Sequence, residues 1–139
     1  MQNYMIFAVA FVCLLGAVLG SFLNVLILRL HEGVTILGRS HCVHCEQKLR
    51  IRHLVPILSW LVLGGRCAFC QRPIHIQYPL VELAAMLLLF FAYLRQPFFA
   101  DRALLGAFLV ECLLFLPLLA LLVFDLRGKL LPLEPMLLA

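Results

Sequence analysis

Three apolar runs, at about 4–30, 78–94 and 103–124, leave this chain few ways to fold. A hydrocarbon core of ~30 Å takes about 20 helical residues to cross. Inside it every backbone N–H and C=O must be paired within the segment, which for runs of this length means α-helix. The composition agrees: 65% of residues are hydrophobic and 13% charged, against about 45–50% and about 25% in soluble domains. The expected fold is an all-α integral membrane protein of about three transmembrane helices. A small polar loop separates the first two, and 130–139 reads as the start of a fourth helix. Organisation follows: 1–30 as the first membrane helix, 31–78 as the polar loop, 79–139 as a membrane region. No internal repeat, low-complexity linker or cleavable signal peptide is evident; the first run is too long for a signal core and lacks a basic start.

The basic residues orient the spans. Arg29, Arg39, Lys48, Arg50, Arg52, Arg66, Arg72, Arg127 and Lys129 fall on one side of the predicted membrane, and Arg95 and Arg102 on the other. By the positive-inside rule the N-terminus lies outside and the 31–78 loop lies in the cytoplasm. The basic residues follow the membrane, so lipid is the expected surface and no nucleic acid is expected as a partner.

Within the loop, Cys42-x-x-Cys45 and Cys67-x-x-Cys70 have the spacing of metal knuckles. Four thiolates close a tetrahedral shell around Zn²⁺. A reducing cytoplasm favours metal over two disulfides, which with four idle thiols is the competing reading. A full shell leaves no open position, so the zinc is expected to be structural, folding a loop too small to build a core. His41, His44 and His75 are neighbouring stand-ins, and Lys48, Arg66 and Arg72 are placed to offset the charge of a tetrathiolate centre. Cys13 and Cys112, inside spans, read as small hydrophobes.

Other polar residues sit in or beside the spans. Gly16, Gly20 and Asn24 share a helical face, a pattern that permits close helix approach and an interhelical amide bond, or a polar cavity near Asn24. Arg29 marks the cytoplasmic end of the first helix. Trp60 reads as an interfacial anchor, and Pro117 is expected to kink the third helix. Carboxylates in membranes are seldom idle. Glu82 falls near the start of the second span and Glu111 within the third, with no evident partner. Asp125 falls at the third span's cytoplasmic end, where Arg127 and Lys129 balance it.

Several stretches, in order, resemble the type IV prepilin peptidases, bifunctional leader peptidase/N-methyltransferases. They are Gly20-Ser-Phe-Leu-Asn-Val with Arg29, Arg39-Ser-His-Cys-Val-His-Cys, Pro56-Ile-Leu-Ser-Trp-Leu, Gly64-Gly-Arg-Cys-Ala-Phe-Cys and Tyr78-Pro-Leu-Val-Glu-Leu. The resemblance implies a membrane aspartyl endopeptidase of the bacterial inner membrane. Such an enzyme cuts the leader from prepilins or pseudopilins of type IV pilus or type II secretion systems at the cytoplasmic face. It then methylates the new N-terminus with S-adenosylmethionine, whose binding residues in this chain are unassigned. Val123-Phe-Asp125-Leu-Arg-Gly-Lys resembles the segment with the first of two catalytic Asp residues, which makes Asp125 the candidate. The second, in a Gly-x-Gly-Asp motif on a later helix, is absent from this sequence. The chain is therefore expected to be truncated, or completed by a second polypeptide. Leu133 and His53 also depart from the family's usual residues. Two non-peptidase readings compete: an inactive remnant or zinc-anchored membrane scaffold, and a small redox protein using its Cys-x-x-Cys pairs.

Overall fold

The computed structural model describes residues 2–33, 35, 38, 40–98 and 101–130. Among these the elements are α1 (Gln2–Glu32), a 3₁₀ turn (Ile51–His53), α2 (Leu58–Val62), α3 (Gln77–Arg95), a second 3₁₀ turn (Arg102–Leu104) and α4 (Leu105–Leu130). Helices α1, α3 and α4 are each long and apolar enough to span a membrane. Between α1 and α3 the chain forms a small module held by four cysteines rather than a helix pair. At 19 residues α3 is about 28 Å long at ~1.5 Å per residue, enough for the hydrocarbon core without much tilt. The helical assignment of α4 runs through Pro117. It also passes Phe124, where the apolar run ends, so Asp125 lies within the helix rather than after it. The expected start of a fourth helix lies outside the described residues.

α1 and α3 pack antiparallel in a regular register. Gly16 faces the backbone of Met86 and Gly20 that of Glu82, so close that an added Cβ would lie 2.7 Å from either Cα. One turn further on, Asn24 Nδ2 donates to the Tyr78 carbonyl at 2.9 Å. The small residues thus let two backbones touch, and the amide closes the seam at its polar end. Toward the other end Ala8 and Val12 pack with Leu89, Ala92, Tyr93 and Phe108 in the buried core.

α4 joins mainly through its ends. Phe98, in the connection, stacks between Tyr93 (5.5 Å) and Phe108 (4.6 Å). Arg95 and Glu111 form an ion pair at 3.6 Å across the α3–α4 hairpin, supplying the partner that Glu111 lacks in the sequence pattern. At the opposite end the ring of His31 on α1 meets Phe124 edge-on at 5.6 Å. Most of α4's Leu and Phe side chains between these ends are exposed in the isolated chain.

Substituting Gly20 by Leu drives a side chain into the α3 backbone and is expected to destabilise the bundle by about 1–3 kcal/mol. Gly106→Ala, where nothing lies within 4 Å, is expected to be neutral or stabilising by up to ~1 kcal/mol. Thermal unfolding of the two variants in detergent should move the midpoints accordingly.

Candidate metal centre and the junction cavity

The four cysteines converge. The sulfurs of Cys42, Cys45, Cys67 and Cys70 all lie within 4.8 Å of one another, with 3.9 Å between Cys42 and Cys70. All six cysteines of the chain are free. A tetrahedral Zn²⁺ with Zn–S of about 2.3 Å needs sulfurs about 3.8 Å apart, so the donor set fits one such ion. No His joins the cluster among the described residues.

The geometry is built twice. In the first knuckle Cys42 N–H donates to Gln47 O, Glu46 N–H to Cys42 O and Leu49 N–H to Ser40 O. In the second, Cys67 N–H donates to Arg72 O, Gln71 N–H to Cys67 O and Ile74 N–H to Gly65 O. An amide two residues on reaches back to the first sulfur of each, His44 N to Cys42 Sγ and Phe69 N to Cys67 Sγ, both at 3.5 Å. A single antiparallel bridge closes each loop, His41 with Lys48 and Arg66 with Pro73. Glu46 and Gln71 take the same left-handed backbone, φ 56 and 58. The two halves are therefore a structural repeat that the sequence does not display, because the backbone pattern needs little beyond the cysteines.

Charge around the sulfurs is uneven. Burial raises the Cys67 thiol, but the amides of Cys70 and Phe69 and the neighbouring thiols outweigh it and lower it to about 7. The Gln47 amide lowers Cys45, yet desolvation and the other three sulfurs push it up to about 11. Amide–sulfur bonds of this kind support the ionised ligand form that a metal requires. Arg72 Nη1 lies 3.4 Å from His44 Nδ1, bridging the knuckles with a positive charge.

Two side chains pin the module to the membrane helices, and a third braces it from within. Arg29, only 8% exposed, donates to the carbonyls of Thr35 (3.2 Å) and Gly38 (3.1 Å). It thus folds the chain back as it leaves α1, beyond merely marking the helix end. Trp60, expected at the lipid interface, braces the module from within. Its Nε1 donates to Ile74 O at 3.2 Å, and its ring lies against Gly65, where a Cβ would be 2.8 Å from it. Glu82 of α3, 7% exposed, accepts from the Ile57 amide at 2.6 Å. Between module and helices lies a cavity of about 590 Å³, lined by Ser21, Asn24, Trp60, Tyr78, Glu82 and Arg127 among others. Asp125 is exposed on α4 two residues before Arg127, and the structure does not bring it to the cysteines. Cys13 and Cys112 are partly buried in helices. The Glu82–Ile57 contact and the Arg95–Glu111 pair escape sequence reasoning; the only signal for either is a carboxylate inside an apolar run.

A four-cysteine module seated on a membrane helix bundle narrows the class, and comparison with known proteins agrees. The chain belongs to the family described as Bacterial Peptidase A24 N-terminal domain, whose profile matches residues 14–96. Among its relatives is the type 4 prepilin-like proteins leader peptide-processing enzyme of Escherichia coli O78:H11, 42% identical over 101 residues, 59% of this chain and 38% of the relative. The prepilin leader peptidase/N-methyltransferase of Myxococcus xanthus is 48% identical over 92 residues, 66% of this chain and 27% of the relative. Its counterpart in Dickeya chrysanthemi is 39% identical over 145 residues, 86% of this chain and 48% of the relative. The chain thus spans less than half the length of these relatives. No solved structure matches it.

Purified protein is expected to hold about one tightly bound metal ion per chain, absent from a Cys42→Ser/Cys67→Ser variant. Elemental analysis checks this, and a folded, metal-free wild type overturns it. Gln71→Val forces a β-branched residue into a left-handed turn, costing about 1–3 kcal/mol. It should release metal to a chelator sooner than wild type, whereas Gln71→Gly should not.

Proposed function

We propose that this chain forms the zinc-bearing part of a prepilin leader peptidase/N-methyltransferase of the bacterial inner membrane, with the module on the cytoplasmic side. The observation that carries the reading is the four-sulfur cluster seated on the polar end of the α1–α3 seam, within the segment matched by the family. Cys42, Cys45, Cys67 and Cys70 hold a structural zinc. The ion supplies cross-linking and no reaction step, since four sulfurs leave no position open.

Asp125 is the catalytic carboxylate of this part. In a carboxylate dyad one member takes a proton from water while the other holds one. Asp125 therefore works with a second Asp contributed by further residues or another polypeptide. Its place on α4 suits that role. The His31–Phe124 contact holds this stretch of α4 beside the end of α1, at the membrane end where the cavity and module lie. A prepilin or pseudopilin leader approaching from the cytoplasm would meet this end. S-adenosylmethionine is the methyl donor in this reading, with no residue of the chain assigned to it.

In cells making a cognate prepilin and the complete enzyme, Asp125→Asn is expected to abolish leader cleavage, losing at least ~10³-fold in rate, with membrane levels and bound zinc unchanged. An immunoblot of precursor and mature pilin reads the outcome. Normal processing by the variant would sink the assignment and favour a zinc-anchored scaffold.

A further inference from the structure

The junction between module and bundle contains a residue in a conformation that it would not adopt alone. Ile57 has φ 61 and ψ −53. Leu58 N–H donates to Pro56 O at 2.5 Å, so Pro56-Ile57-Leu58 is a γ-turn of the rare, strained hand. A β-branched residue at positive φ is a true outlier. Such geometry persists only where its surroundings over-determine it. Here the over-determining contact comes from outside the loop: the Glu82 carboxylate accepts the Ile57 amide at 2.6 Å. Glu82 is itself fixed from a third element. Its Cα lies against Gly20 of α1.

We propose that Glu82 is a positioning residue, a latch that sets the metal module against the membrane helices by holding the Ile57 turn. Three features converge on this reading. A carboxylate inside a membrane helix is costly and needs a reason to be there. A hydrogen bond to a charged acceptor is stronger than a neutral one, enough to hold a strained turn. The cavity of about 590 Å³ has walls from both bodies, with Ser21 and Tyr78 on the helices and Trp60 in the module. The latch therefore fixes the width of that cavity. The inference concerns the joint itself and holds whether or not the chain cleaves a leader.

Amide hydrogen exchange of the full chain in detergent, read by mass spectrometry, tests it. Glu82→Met keeps the side-chain volume, removes the acceptor and leaves no buried charge, so the bundle stays folded. It is expected to speed exchange in 57–63 about tenfold while the amides of α1 and α3 stay protected. Glu82→Gln keeps an acceptor oxygen and should stay within about threefold of wild type. Glycine adopts the Ile57 geometry without a Cβ penalty, so Ile57→Gly added to Glu82→Met should restore slow exchange to within about threefold of wild type. A role in packing alone would give no such rescue. Unchanged exchange in Glu82→Met, or a double variant as fast as Glu82→Met, overturns the proposal.

Discussion

Everything at the polar end of this protein depends on how closely α1 can lie against α3. Gly16 and Gly20 remove the side chains that would hold the two backbones apart. In a bilayer the hydrophobic effect does not drive helices together, so this van der Waals contact and the Asn24–Tyr78 bond supply the attraction. The same register puts Glu82 opposite Gly20. Were α1 and α3 separated by a side-chain layer, the carboxylate would lose its neighbour on α1 and its line to the loop.

The module solves a different problem. Roughly forty residues between two membrane helices are too few to build a hydrophobic core of their own. Among its described residues only Cys42, Cys67 and Gly65 are buried. Its order comes from two sources. The paired knuckles bring four sulfurs together, and Arg29, Trp60 and Glu82 tie the result down with bonds to backbone groups. A metal held by the four sulfurs would supply the centre that a larger domain makes from Leu and Val.

Much of this was readable in the residues. Apolar length located all three spanning helices, because bilayer thickness imposes it directly. The four cysteines and the Gly16–Gly20–Asn24 face were legible for a similar reason: each encodes a short-range geometric rule. The family resemblance read from the ordered motifs is the one the profile match establishes. Less legible were residues whose meaning depends on a distant partner. Arg29 reads as a helix-end charge and Trp60 as an anchor, until the carbonyls of Thr35, Gly38 and Ile74 are placed beside them. The duplicated knuckle lies in backbone hydrogen bonds and left-handed φ values, which Glu46 and Gln71 do not announce.

The Arg95–Glu111 pair has a bearing on how the protein enters its membrane. A lone carboxylate carried into the bilayer with α4 costs about 2.5–3.5 kcal/mol on insertion scales. Arg95 ends α3 with its side chain 69% exposed, while Glu111 is 16% exposed on the facing turn of α4. The two charges belong to consecutive helices joined by a short connection. A hairpin delivered as a unit brings the acid in already matched with its base. The α3–α4 hairpin thus carries these two charges as one nearly neutral pair, and the long guanidinium stem lets its head stay at the interface.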